Sequence, residues 1–110
     1  MRLPQHAIIA KAKLTQYLLR RHERGDKSVF LAEAGYTSAN AAQLGHDLRT
    51  QILSLDAEEL ESNEFGHYYQ IRGVLIGPNG KELPIRTIWM IEHLSGGTKF
   101  ITLIPDKRRK

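Results

Sequence analysis

The segment Gly77-Pro78-Asn79-Gly80 does most to restrict what this chain can fold into. It separates two runs rich in β-branched, aromatic and aliphatic residues, Tyr68–Ile76 and Leu83–Ile91. Asn-Gly between two such runs is a strong hairpin signal, so the runs are expected to pair antiparallel. Ser95-Gly96-Gly97 marks a second turn, and Lys99–Ile104 a third long strand that Pro105 ends. The acidic stretch Asp56–Asn63 reads as a transition or a short edge strand. Alternation along the strands is imperfect. Tyr69, Ile71 and Leu75 share one face while Val74 and Ile76 lie on the other. Ile85, Thr87, Trp89 and Ile91 share a face that Ile88 and Met90 oppose. Either both faces are partly covered, or one is an apolar-rimmed binding surface.

The first half reads helical. Leu14, Tyr17 and Leu18 recur at helical spacing over Lys11–Arg21, and Gly25 in His22–Asp26 marks a break. Asp26 can cap a short helix over Lys27–Ala34, with Gly35 as its C-cap. Thr37 or Ser38 can cap a third helix running to about Leu53, with Ala41, Leu44, Leu48 and Ile52 as its buried stripe. Helices segregated from strands indicate an α+β fold. The expected architecture is about three N-terminal helices packed on a three- to four-stranded antiparallel meander sheet. At 110 residues, one domain spanning 1–110 is expected, with 106–110 as a disordered basic tail.

The chain has no cysteine, which excludes disulfides, thiol nucleophiles and thiolate metal sites. No apolar run approaches the roughly 18–20 residues that span a bilayer, and Met1–Lys13 has no signal-type stretch. A cytoplasmic protein without membrane contact is therefore expected. No two His stand at i, i+4, and none sits beside a carboxylate at zinc-ligand spacing. Neither a metal nor a cofactor is expected. Gly77–Gly80 lacks the spacing of a phosphate loop.

Charge is more informative. The net formal charge is +4, and it is unevenly distributed. Lys11, Lys13, Arg20, Arg21, Arg24 and Lys27 cluster within 17 residues, and Lys107–Lys110 form a second basic run. Asp56, Glu58, Glu59, Glu61 and Glu64 form an opposing acidic block. The basic stretch is either a solvated helix face or a phosphate-binding surface. Tyr17, Tyr36, Tyr68, Tyr69 and Trp89 are either core residues or base-stacking platforms. His22 is either an exposed loop residue or, kept neutral by neighbouring cations, a general base. Thr87 and Thr102 are either β-formers with satisfied hydroxyls or donors to a phosphate.

The chain also resembles a known family. Lys13-Leu14-Thr15-x-Tyr17-Leu18-Leu19, Asp26-Lys27-Ser28-x-Phe30-Leu31-Ala32-x-Ala34-Gly35-Tyr36-Thr37 and Phe65-Gly66-x-x-Tyr69-x-Ile71-Arg72-Gly73 carry the likeness. So do Arg86-Thr87-Ile88-Trp89-Met90 and Thr98-Lys99-Phe100-Ile101-Thr102-Leu103-x-Pro105-Asp106-Lys107. Together these resemble an uncharacterised bacterial family of small stand-alone proteins, related to C-terminal domains of polymorphic toxins. The likeness covers roughly Leu3–Lys107. The layout is also similar to the barnase/EndoU/colicin/RelE-type ribonuclease fold, which is an analogy of fold.

That analogy implies a metal-independent ribonuclease of a toxin–antitoxin type, acting on RNA beside a small cognate antitoxin-like protein. The alternative is a non-catalytic interaction module working with a small partner. A third reading is a ligand-binding protein with a pocket at Trp89. On the nuclease reading the catalytic set is Lys13, His22, Lys27, Tyr69, Thr87 and Thr102. The nucleic-acid-binding set is Arg20, Arg21, Arg24, Arg86, Trp89 and Lys99. The chain departs from the toxin-linked pattern at His22-Glu23, where those relatives carry a His-Pro step. If His22 is dispensable, Lys13 or Tyr69 has to act as the base.

Overall fold

The computed structural model describes residues 1–20 and 27–106. His22, Arg21 and Arg24, the proposed cap Asp26, and most of the basic tail lie outside the described residues. The fold is α+β, with helical segments preceding a four-stranded antiparallel sheet of strand order β1-β2-β3-β4. The strands are β1 Glu58–Ser62, β2 Gly66–Ile76, β3 Glu82–Glu92 and β4 Thr98–Pro105.

The hairpin signal marks a real hairpin, but not a two-residue turn. Ile76 pairs with Glu82, so residues 77–81 form the loop. Only Gly80 in it has positive φ, at 87°. Asn79 acts through hydrogen bonds instead. Its Nδ2 donates to Glu33 O at 3.0 Å, its backbone N–H donates to Ala34 O at 3.3 Å, and its Oδ1 accepts from the Lys81 N–H at 2.9 Å. The loop is thereby tied to the end of the first α-helix. Gly77 makes the approach possible, since a Cβ there would lie 2.2 Å from Ala34 O.

The helices are shorter and more irregular than periodicity suggests. Lys13–Leu18 is a π-helical turn, in which the Leu19 N–H reaches five residues back to Leu14 O at 2.9 Å. Helix α1 is Ser28–Ala32, and Gly35 follows at φ 95°. Thr37 caps the third segment, accepting from the Ala39 N–H, while Asn40 Oδ1 accepts from the Thr37 N–H. That segment runs through a 3-10 turn, helix α2 Ala41–Asp47, and a second π-helical turn, Leu48–Ile52. The expected stripe is correct: Ala41, Leu44, Leu48 and Ile52 are all buried.

These helices cover one sheet face. Leu18, Leu31, Leu44, Leu48, Ile52 and Leu53 pack with Ile71, Leu75, Ile85, Trp89 and Leu103 in a single core. The N-terminal segment adds an unforeseen element. Ile8 pairs in parallel with Lys99 on β4, with Ile8 N–H to Thr98 O and Phe100 N–H to Ile8 O both at 2.8 Å. The register of β4 slips once. Trp89 pairs with Phe100 and Ile88 with Thr102, leaving Ile101 as the extra residue of a bulge. The bulge explains the broken alternation: Phe100 and Leu103, three apart, are both buried.

Candidate active site

Four of the residues near this bulge form a cluster. Lys27, at the start of α1, donates from Nζ to Tyr17 Oη at 3.1 Å and to Thr102 Oγ1 at 3.0 Å. Its ammonium also lies 5.1 Å from the Tyr17 ring centroid, and that of Lys13 lies 5.5 Å from it. Three pieces of chain therefore meet. The π-helical turn supplies Lys13 and Tyr17 one wide turn apart. The entry to α1 supplies Lys27. The bulged edge strand supplies Thr102, because the extra residue at Ile101 shifts Thr102 into register with Ile88 instead of with the core row. Bulges recur where a strand must re-aim a side chain beside a functional site.

The cluster lies at the surface. Tyr17 is exposed, and Lys13, Lys27 and Thr102 are half-buried. The Thr102 hydroxyl, followed by the Lys27 ammonium, hydrogen-bonds the phenol oxygen and holds the Tyr17 pKa below the usual tyrosine value. Partial burial opposes this, and the positive charges of Lys27 and Lys13 add to it. An ammonium has three donors, and among the described residues Lys27 bonds through Nζ to two acceptors, both within the cluster. The arrangement offers a polarised phenol, two cations and a hydroxyl on one surface, which suits an anionic oxygen and a proton in transfer.

The remaining expected residues lie elsewhere. Trp89 is fully buried and packs edge-on against Phe100 at 5.2 Å, so its ring offers no face to a base. Thr87 is equally buried. Its hydroxyl accepts from Trp89 Nε1 at 2.7 Å and donates to Ile71 O at 3.2 Å, which satisfies it internally. Tyr69 is buried in the same core. For these three the bland alternative holds: they are packing residues, because the helical layer covers their sheet face. Arg86 donates from Nη1 to Gln70 Oε1 at 3.2 Å, and Lys99 from Nζ to Glu92 Oε2 at 3.0 Å; neither bonds to the Tyr17 cluster. Arg20 is exposed just past the π-helical turn. Among the described residues no group of three His, Asp or Glu could hold a metal ion.

Tyr17 is the residue that sequence reasoning undervalued, treating it as one aromatic among five. A usable signal was present: Lys13 and Tyr17 stand at i, i+4, a spacing that brings a cation onto an aromatic ring on one helix face.

The fold is similar to a solved chain from the contact-dependent growth inhibition toxin - immunity protein complex of Klebsiella pneumoniae 342. The TM-score is 0.55 over 91% of this chain and 100% of that one. At 15% sequence identity the likeness is one of fold. No curated protein matches the sequence. No helix among the described residues is long and apolar enough to cross a membrane. A family model matches residues 2–107, and the chain thus belongs to the family described as Domain of unknown function (DUF6883).

Proposed function

We propose that this chain is a small toxin-like protein acting on RNA in the cytoplasm, a metal-independent ribonuclease that works beside a small cognate partner. The observation that carries this reading is the half-buried Lys27 ammonium held between Tyr17 Oη and Thr102 Oγ1, with Lys13 over the same ring. Tyr17, as the phenolate that these neighbours favour, takes the proton from a ribose 2′-OH and becomes the neutral phenol. The 2′-oxygen forms a bond to the adjacent phosphorus and the bond to the 5′-oxygen breaks. Lys27 and Thr102 stabilise the charge that develops on the phosphoryl oxygens. Lys13 donates a proton to the departing 5′-oxygen. The products are a 2′,3′-cyclic phosphate and a 5′-hydroxyl, and no metal is required. Arg20 and the neighbouring basic residues supply salt-dependent attraction to the backbone. The likeness to a chain of a toxin–immunity complex supports a toxin-type role and a protein partner.

The test is induced expression of the wild type beside Lys27→Ala, Tyr17→Phe and His22→Ala, with growth and total RNA followed, and cleavage by purified protein in EDTA. Growth arrest with fragmented RNA, relieved by Lys27→Ala and Tyr17→Phe, is expected. Relief by His22→Ala alone moves the base to His22. Intact RNA from soluble wild-type protein defeats the nuclease reading. The non-catalytic interaction module then takes its place, a reading favoured by the bare outer sheet face described next.

A further inference from the structure

The sheet face away from the helices carries no helix among the described residues; Gln70, Arg72 and Arg86 make one end of it polar, and the other end is apolar. Leu60, Tyr68 and Ile88, with Glu61 and Asn63, line a groove of about 400 Å³. Phe65, Tyr68, Met90 and Leu94, with Glu64, Glu92 and Lys99, line a second groove that shares Tyr68. Phe65 is 63% exposed and Leu94 fully exposed, an arrangement with no role in this chain's own core. Strand β1 borders the grooves as the outermost strand of the sheet. All five of its residues are exposed, and among the described residues no backbone group bonds to its outer side. Its charge is opposite to that of the molecule: Glu59, Glu61 and Glu64 make no ion pair among the described residues, in a chain of net charge +4.

We infer that β1 and the adjoining outer face dock a strand of a partner protein in which apolar side chains alternate with Lys or Arg. The strand would add to the open edge through main-chain hydrogen bonds and set its apolar row beside Leu60, at the mouth of the groove that Tyr68 and Ile88 line. Its basic row would meet Glu59, Glu61 and Glu64. A second copy does not fit, since β1 against β1 sets glutamates beside glutamates, which is repulsive across a strand pair. RNA does not fit either, for the same sign of charge. The inference is independent of whether the Tyr17 cluster is catalytic.

The test uses the full chain carrying Lys27→Ala, which disables the proposed nuclease and leaves this face untouched. Amide resonances are followed on titration with a synthetic peptide of alternating Lys and Val, and with its Glu–Val counterpart. Saturable shifts at residues 58–62, 68, 88 and 90 with the basic peptide alone are expected. Glu59→Lys with Glu61→Lys should weaken that binding about tenfold, as should added salt. Equal binding of the acidic peptide, shifts confined to other regions, or no binding overturns the inference. Concentration-dependent self-association through the same resonances overturns it in favour of a second copy, and shifts there on adding RNA overturn it in favour of a nucleic-acid surface.

Discussion

The sheet has two edges, and they were finished in opposite ways. At β4 the edge is occupied: Ile8 pairs with Lys99, a bulge follows at Ile101, and beyond it Thr102 receives Lys27. At β1 the N-terminus pairs only with the residues just before the strand, Arg2 with Asp56, and Glu58–Ser62 is left bare, exposed on every residue and acidic. Edge strands are a hazard unless covered, bulged or charged, and this chain uses all three devices. It spends cover and bulge on the edge where a cation cluster is built. It leaves charge and a register slip between Glu59 and Ser62 to guard the other. The difference teaches that edge protection and site construction are one operation at β4, because the bulge that breaks the ladder also positions Thr102. At β1 the guard is removable, since opposite charge neutralises it.

The largest blow to this contrast removes what both edges share. Trp89 fills the centre of the core, and Trp89→Ala is expected to cost about 3–5 kcal/mol in urea unfolding, abolishing any activity of either edge together. If one edge kept its function at full strength, the two would not depend on a common core. Lys27→Ala separates the edges. RNA cleavage should fall about 10²–10³-fold while the thermal midpoint and the peptide titration at β1 hold. Loss of both would mean that Lys27 is a structural residue.

Tyr36→Phe probes the buried contact that joins α2 to the end of β2. The buried Tyr36 hydroxyl donates to Asp47 Oδ2 at 2.5 Å, and Asp47 Oδ1 accepts from Gln43 at 2.8 Å. Losing that charge-assisted bond should cost about 1.5–3 kcal/mol by denaturant unfolding.

The two tyrosines also titrate in opposite senses. Tyr17 is lowered by Thr102 and Lys27, while Tyr36 is raised by burial and then by Asp47. Stability from ionised Tyr17 is present above its unfolded pKa, near 10, and is lost as pH falls through the lower folded value. Stability from protonated Tyr36 is present below that unfolded value and is lost as pH rises toward the raised folded one. An absorbance titration of phenolate should show an early phase that disappears in Tyr17→Phe and a late phase that disappears in Tyr36→Phe. The smallest effect belongs to Glu61→Lys, which should leave the thermal midpoint within about 2 °C, as expected of an exposed side chain away from any packed feature.

Much of the architecture was legible because local rules and the core agree. The turn residues Gly77–Gly80 and Ser95–Gly97 punctuate three long strands, and Thr37 opens the helical segment whose stripe packs inward. Legibility failed where a tertiary contact overrode a period. The run after Lys11 looks like an α-helix but widens to a π-helical turn. Asn79 looks like a two-residue turn former but spends its side chain on the end of α1. The candidate site was half legible. Lys13, Lys27 and Thr102 were expected and do converge, whereas Tyr69, Thr87 and Trp89 share a sheet face with the core and were drawn inside. Strand alternation identifies which residues share a face; it does not say which face the helices will cover.

The sequence by itself determined the α+β class, the meander and the polarity of charge, since these follow from turn chemistry, hydrophobic period and composition. Only the tertiary structure decided that Tyr17 belongs with Lys13, Lys27 and Thr102. Tyr17 and Thr102 are separated by most of the chain, and no local rule foretells a one-residue bulge at Ile101. The register of β4 against β3 is set by which side chains fill the core, Phe100 and Leu103 against Trp89 and Thr87, and that choice turns Thr102 to the edge.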